Sequence, residues 1–219
     1  MQNVRVFFEK TGMTKYISHL DLMRCMTRAI KRAAIPAWYT EGFNPHLFIT
    51  FALPLTLGVE SLCESMDIRL TEEMGFEEVK NRLNVNLPDG IRITNVAVPV
   101  YKANDIAFAE YKITFHTRKN EKIKNEIEEK LLCDELLAEK MGKQGKRKVL
   151  KTINLKEFVN SYSVISLNDK TVLTAVLTAV SKNNINPNLF VDALKLGDDV
   201  GFCEILKQKM MTEDLKSFE

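Results

Sequence analysis

Four polar residues in the first quarter of the chain have side chains that could take part in acid–base or metal chemistry. One segment supplies His19 and Asp21, and a second segment, YTEGFNPH, supplies Glu41 and His46. Imidazole and carboxylate groups act as general acids and bases only when they reach the same reacting group. The three histidines show neither HxxxH nor HxH spacing, so no metal site is predicted. Catalysis by this set is a hypothesis that requires the two segments to meet.

A second set of residues could bind phosphate groups. Arg24, Arg28 and Arg32 recur at intervals of four, Lys31 lies beside them, and Asp21 is the only acid between residues 15 and 40. Four-residue spacing places side chains on one face of a helix, so the row predicts a cationic surface that can neutralise phosphates. The alternative is the solvated polar face that every amphipathic helix has.

The segment YTEGFNPH combines flat side chains with hydrogen-bonding groups. Tyr39 and Phe43 could stack on nucleobases, and Asn44 could donate or accept hydrogen bonds. Gly42 permits positive φ, and the Asn44–Pro45 pair favours a fixed turn. The alternative is an irregular connection whose aromatic side chains fill the core.

A cluster of cations lies between residues 140 and 151, where six Lys or Arg residues occur without an acid. Two glycines within the cluster predict a turn, so these cations should lie on a β-hairpin. Cationic hairpins can bind the phosphate backbone of RNA or DNA. The alternative is an exposed turn that serves only solubility. The residues that we assign to RNA binding, besides the row and the YTEGFNPH segment, are Lys143, Lys146, Arg147, Lys148 and Lys151.

The elements that must position these residues follow from hydrophobic periodicity. Residues 3–9 alternate as a strand, and a helix is predicted from the N-cap Ser18 to a point before Pro36. Further runs predict strands at 47–53, 65–70 and 91–98 and a helix at 71–83. The order strand, helix, strand, strand, helix, strand predicts a ferredoxin-like βαββαβ domain over residues 1–99.

The second half predicts another α+β domain over residues 108–219, after a linker. The pattern indicates a charged helix at 120–132, the basic hairpin at 140–151, a short helix at 188–195 and four further strands. The predicted class is therefore α+β throughout. The second domain is a decorated α+β unit for which a ferredoxin-like core is one option.

Composition limits the functions that the chain could have. Lys and Arg number 31 against 29 Asp and Glu, so local clusters, and not the net charge of +2, favour nucleic acid. No apolar run reaches the ~18–20 residues of a membrane span, and the first residues form no signal-peptide core, so we expect a cytoplasmic protein without membrane contact. The four cysteines are dispersed, and the usual nucleotide and hydrolase motifs are absent. We expect neither a metal centre nor a cofactor in this chain.

Several motifs between residues 15 and 60 resemble those of a known family. They are Ser18-His19-Leu20-Asp21, Arg24 with Arg28-Ala29, Tyr39 with Glu41-Gly42-Phe43-Asn44-Pro45, Phe51-Ala52 with Pro54-Leu55, and Gly58-Val59-Glu60. They are similar to the radical-SAM-linked proteins, bacterial proteins found beside or fused to a radical-SAM protein with a cobalamin-binding region. This chain lacks the CxxxCxxC motif that would hold the cluster, so the resemblance implies that radical chemistry belongs to a partner. The two-part α+β pattern also resembles tandem ferredoxin-like RNA-binding proteins such as the CRISPR repeat-processing ribonucleases.

Three functions stay open at the level of sequence. The first is an accessory RNA-binding protein, without catalysis of its own, that presents tRNA or rRNA to a radical-SAM modifying enzyme. The second is an enzyme that uses His19, Asp21, Glu41 and His46 as an acid–base or metal site on RNA or a small molecule. The third is an adaptor that binds only the radical-SAM partner. Salt-dependent RNA binding separates the first from the third.

Overall fold

The alternating residues at the start of the chain form strand β1 (Gln2–Lys10). Helix α1 (His19–Arg32), strands β2 (Ile49–Phe51) and β3 (Glu60–Leu70), helix α2 (Phe76–Asn86) and strand β4 (Ile91–Ala97) follow. They belong to the first of two units, Met1–Ala107 with Lys207–Glu219. The computed structural model describes residues 1–144, 147–180 and 184–218. The mixed α+β class that the sequence predicts is confirmed.

The strands of this first unit pair in an antiparallel manner. β1 lies between β3 and β4, and β2 pairs with residues 66–68 of β3, so the order at that end of β3 is β4-β1-β3-β2. The strand β10 (Phe202–Met211), whose residues Lys207–Met211 belong to this unit, is a further neighbour of β3. Val4, Val6 and Phe8 of β1 are buried in one core with Met26 of α1 and Leu83 of α2. Alternate residues of a strand point to the same face, so both helices pack on one face of the sheet. The ferredoxin-like assignment itself stays a prediction.

Helix α1 begins and ends where its sequence predicts. Ser18 is the N-cap, since its Oγ accepts a hydrogen bond from the backbone N–H of Asp21 at 3.1 Å. After Arg32 the chain turns at Ala34, which has φ 51°, and Pro36 prevents the helix from continuing. Both ends of the helix are therefore defined by residues next to it in the sequence.

The second unit, Phe108–Leu206, contains the remaining helices and most of the remaining strands. They are β5 (Phe108–His116), α3 (Asn120–Leu132), β6 (Leu137–Gln144), β7 (Arg147–Asn154), β8 (Val159–Leu167), β9 (Lys170–Thr178) and α4 (Pro187–Leu194), together with the first residues of β10 (Phe202–Met211). β9 pairs antiparallel with β5 and β8, and β6 and β7 form a separate two-stranded sheet. In the part of the chain that the structure describes, no helix is long and apolar enough to cross a membrane.

The predicted domains, 1–99 and 108–219, differ from these units at the C-terminus. Lys207–Glu219 belong to the first unit, where Nζ of Lys207 lies 2.6 Å from Oε1 of Glu64 in a buried ion pair. The buried ring of Phe218 packs 4.6 Å from the guanidinium carbon of Arg5. The alternating pattern of β10 predicts a strand, but it does not indicate which unit that strand joins.

Candidate nucleic-acid interface

The three predicted arginines of α1 line one open groove in the first unit. Arg24, Arg28 and Arg32 are exposed, and the groove has a volume of about 680 Å³. Successive arginines are about 6 Å apart along the helix axis, because each residue rises about 1.5 Å. We call this feature the arginine groove; it is lined by Asp21, Arg24, Cys25, Arg28, Arg32 and residues 85–88.

The three arginines have different partners. Nη1 of Arg24 lies 3.2 Å from Oδ1 of Asp21, and Nη2 of Arg32 donates a 2.5 Å hydrogen bond to the backbone oxygen of Asn86. Among the described residues, Arg28 has no ion-pair or hydrogen-bond partner. Three guanidinium groups therefore face one carboxylate, and Arg28 is the group most available to an incoming anion.

The single carboxylate of the groove stays ionised. A hydrogen bond from the Ser18 hydroxyl, helped by Arg24, holds the pKa of Asp21 below its ordinary value. The Ser18 Oγ donates to Oδ2 of Asp21 at 2.7 Å. Because Asp21 accepts from both Ser18 and Arg24, it positions the Arg24 side chain and is a poor donor of a proton at neutral pH.

Cys25 lies in the arginine groove with part of its surface exposed. Burial raises the pKa of its thiol, against the opposing effect of the charges on Arg32 and Arg28. The thiol is therefore protonated at neutral pH and is not an activated nucleophile. It remains a slow but usable reporter of what occupies the groove.

Two contacts describe the surroundings of the candidate catalytic residues. His19 is in the first turn of α1, where its ring lies 5.0 Å from the ring of Phe51. The second segment begins at Tyr39, whose ring lies 5.4 Å from Nζ of Lys31 in the last turn of α1. His19 and Lys31 are about 18 Å apart along the helix axis. A shared acid–base site requires its groups to act within roughly 3 Å or across one water, so the meeting of the four residues stays a prediction. The residues concerned are His19, Asp21, Glu41 and His46.

Among the residues that the structure describes, no group of three or more His, Cys, Asp or Glu could hold a metal ion.

The YTEGFNPH segment is a closed loop with one exposed ring at its tip. The Thr40 N–H donates to the oxygen of His46 at 2.8 Å, and the His46 N–H donates to Oγ1 of Thr40 at 3.1 Å. Nδ1 of His46 lies 3.0 Å from Thr40 Oγ1 and 3.2 Å from the oxygen of Asn44, so the imidazole serves loop closure. Gly42 has φ 117°, and Phe43 beside it is fully exposed. The core-filling alternative is wrong for Phe43, whose ring is available to a flat partner.

Trp38, unlike Phe43, has structural neighbours. Its ring lies 5.6 Å from the ring of Phe48 and 5.1 Å from the guanidinium carbon of Arg69, which is also 5.1 Å from Phe48. The Trp38 N–H donates to the backbone oxygen of Arg69 at 2.7 Å. These contacts attach the base of the YTEGFNPH loop to β3.

The basic hairpin is present as β6 and β7. Its register places Lys140 directly opposite Lys151, and both are exposed. Like charges at opposed positions destabilise a hairpin, and a bound anion would relieve that repulsion. The structure describes Lys143, Arg147 and Lys148 in their backbone alone, and Lys146 lies outside the described residues.

Sequence reasoning missed the second wall of the arginine groove. That wall consists of residues 85–88, at the end of α2 and the turn after it, and three of its four residues are apolar: Val85, Leu87 and Pro88, with Asn86 between them. Val85 is 85% exposed, although it lies in a helix with a buried face. The only signal in the sequence is Val85, a β-branched residue that lies outside the apolar stripe of α2 and three residues before Pro88.

The fold and groove define an α+β protein with a cationic helix surface. The chain belongs to a family described as "Uncharacterized protein conserved in bacteria (DUF2344)", whose model matches residues 3–187. That range includes the arginine groove, the YTEGFNPH loop and the basic hairpin. No curated protein matches the chain.

Two solved structures show a distant likeness. One is a chain of a Cbf5-Nop10-Gar1 complex, with 12% identity and a TM-score of 0.47 over 96% of this chain and 50% of that chain. This chain thus spans about half the length of the one it matches. The other is an unknown protein from Galdieria sulphuraria, with 11% identity and a TM-score of 0.27 over 94% of this chain and 98% of that chain. Both scores lie below 0.5, so neither likeness bears on function.

Proposed function

We propose that this protein binds RNA through the arginine groove and presents it to a radical-SAM modifying enzyme. The observation that carries RNA binding is the row of Arg24, Arg28 and Arg32 along one open groove. Lys and Arg side chains that neutralise phosphates release condensed counterions, which supplies most of the sequence-independent affinity for nucleic acid. Asp21 is the one acid in the groove, so the row is not internally neutralised.

The length of the row favours a polyanion over a single phosphate. Its three cations extend over about 12 Å of helix, because eight residues separate Arg24 from Arg32. A single anion would use one or two of them, whereas a nucleic-acid strand presents charges at regular intervals along its length. The exposed ring of Phe43 and the exposed pair Lys140 and Lys151 add further groups that RNA-binding proteins use.

The radical-SAM partner is supported by the sequence resemblance alone. The motifs that carry it are the start of α1 and the YTEGFNPH loop, and the chain has no CxxxCxxC motif. The proposal therefore assigns the radical chemistry to the partner, and RNA recognition to this chain. Strand order β4-β1-β3-β2 with both helices on one face supports a ferredoxin-like first unit, a scaffold that other RNA-binding proteins share.

Salt-dependent binding tests the proposal. Affinity for a labelled single-stranded RNA, followed by fluorescence anisotropy, should fall linearly on a logarithmic salt scale with a slope of about −0.7 per phosphate contact. The double substitution Arg24→Ala/Arg28→Ala removes two contacts and should flatten the slope by roughly 1.4.

The matched control is Arg92→Ala/Lys102→Ala, which removes two exposed cations of the same unit that do not line the groove. Its slope should equal that of the wild type. Absence of RNA binding at low salt would overturn the proposal and favour the protein adaptor. Equal flattening in the two double variants would show that the affinity belongs to the whole surface and not to the groove.

A further inference from the structure

We propose that the arginine groove is built for unpaired RNA, with a nucleobase held against the apolar wall of Val85, Leu87 and Pro88. The inference rests on the proposed function and adds the class of RNA. A groove that served only phosphates would need only its cationic wall. Here the second wall adds three apolar residues beside Asn86, and Val85 and Pro88 are both exposed.

The exposed part of the apolar wall is not required by the core. Val79 and Leu83 supply the buried side of α2, whereas Val85 is 85% exposed. Exposed apolar surface next to charged groups is typical of a binding site. Single-stranded nucleic acid has the matching chemistry, because its phosphates are charged and the faces of its bases are apolar.

Duplex RNA fits these two walls less well. In a helix the bases are stacked on their neighbours and the surface offers phosphates and 2′-hydroxyl groups, so the apolar wall would have no partner. An unpaired strand can splay a base onto an apolar surface or onto an Arg plane while its phosphates meet the cations. The two walls together therefore favour a single strand.

Two hydrogen bonds connect the elements that carry the groove to the rest of the first unit. At one end Nη2 of Arg32 is bonded to the oxygen of Asn86, which joins α1 to the end of α2. At the other end the Thr11 N–H donates to the oxygen of Gly90 at 2.8 Å, which holds the turn that carries Pro88. Binding to such a surface costs little ordering of the protein.

Three probes test the inference by anisotropy on the full chain. They are a short oligouridylate, an abasic ribose-phosphate strand of the same length, and a blunt RNA duplex. The wild type should bind oligouridylate at least about fivefold more tightly than the abasic strand, because one stacked base contributes at least that much. The salt slopes for these two strands should be equal, since their phosphates are the same. The duplex should bind more weakly than oligouridylate.

The variant Val85→Ser should reduce the preference for oligouridylate over the abasic strand and leave the salt slope unchanged. Val100→Ser, at another exposed valine that does not line the groove, should leave both quantities unchanged. Arg24→Ala/Arg28→Ala should instead flatten the slope for both strands. Each variant thus reports on one wall.

The outcomes separate this inference from the proposed function. Equal affinity for oligouridylate and the abasic strand, or a duplex that binds most tightly, would overturn the inference while RNA binding stands. Tight binding of polyglutamate that Val85→Ser weakens would overturn it in favour of an acidic peptide. Failure of every strand to bind at low salt would overturn the proposed function itself.

Discussion

The arginines of α1 share a spacing but not a role. Arg32 donates a hydrogen bond to the backbone oxygen of Asn86, the last residue of α2, whereas Arg28 has no ion-pair or hydrogen-bond partner among the described residues. We expect Arg32→Ala to lower the free energy of unfolding by about 1 kcal/mol, because a hydrogen bond between the helices is lost. Arg28→Ala should change it by less than about 0.5 kcal/mol. Urea denaturation of both variants checks this, and equal losses would contradict the assigned roles.

RNA affinity should show the reverse order at the same two positions. Arg28 can meet a phosphate without breaking a bond within the protein, so Arg28→Ala should flatten the salt slope by one contact, about 0.7. Arg32→Ala should flatten it less, because its guanidinium already serves Asn86. Anisotropy titrations of the two single variants provide the comparison.

Ser18 and Asp21 form a pH-dependent cap at the start of α1. The Ser18 hydroxyl is the largest cause of the lowered pKa of Asp21. A carboxyl whose folded-state pKa is lowered contributes stability above its unfolded pKa, and loses that contribution as the pH falls through the folded pKa. Ser18→Ala should therefore raise the pKa of Asp21 and make the free energy of unfolding fall less steeply as the pH is lowered into the acid range. NMR titration of the Asp21 carboxyl tests this; an unchanged pKa would contradict it.

At the scale of elements, one turn determines where the apolar wall of the groove lies. Gly90 has φ 88°, and a Cβ at this position would lie 2.6 Å from the oxygen of Thr11. Gly90→Ala should lower the free energy of unfolding by roughly 2 kcal/mol or more, because it combines backbone strain with a backbone clash. The loss should be measurable by urea denaturation.

Gly75→Ala is the control for that substitution. Gly75 has φ −62°, and an added Cβ would meet nothing within 4 Å. Its cost should stay below about 1 kcal/mol, the usual range for a change at an N-cap. Equal destabilisation by the two substitutions would show that the Gly90 turn is not the constraint proposed here.

Local patterns in the sequence predict most helices and strands, because each pattern depends on residues only a few positions apart. The seam Ile123, Ile127 and Leu131 predicts α3, and the structure has that helix at Asn120–Leu132 with all three side chains buried. The ends of a helix are predicted less accurately where hydrophobic periodicity is the only signal for them. For α2 the pattern predicts 71–83, whereas the helix is Phe76–Asn86, because Phe76, Val79 and Leu83 define its buried face but not its first turn.

The parts of the site that the sequence does not predict depend on contacts between residues far apart in the chain. The arginine row was predicted because four-residue spacing is a local property of one helix. The apolar wall depends on a bond between Thr11 and Gly90, nearly eighty residues apart, and on one between Arg32 and Asn86. Likewise His19 and His46 are close enough in sequence to suggest one site, but that site stays a prediction because it depends on how the YTEGFNPH loop packs against the start of α1.

For the whole molecule, net charge conceals the features that suggest a function. The chain has a net charge of only +2, yet each unit carries its own cationic feature: the arginine groove in the first and the basic hairpin in the second. Acidic side chains elsewhere, as on α3, balance them in the total. The match to the DUF2344 family over residues 3–187 includes both features.

The alkylation rate of Cys25 tests the central claim most directly. This thiol lies inside the arginine groove, and the exposed thiol of Cys133, at the end of α3, is an internal reference. RNA bound in the groove should slow modification of Cys25, measured by mass spectrometry, and leave Cys133 unchanged; high salt or Arg24→Ala/Arg28→Ala should restore the rate. An unchanged Cys25 rate at saturating RNA, or equal slowing of both thiols, would contradict RNA binding in the groove.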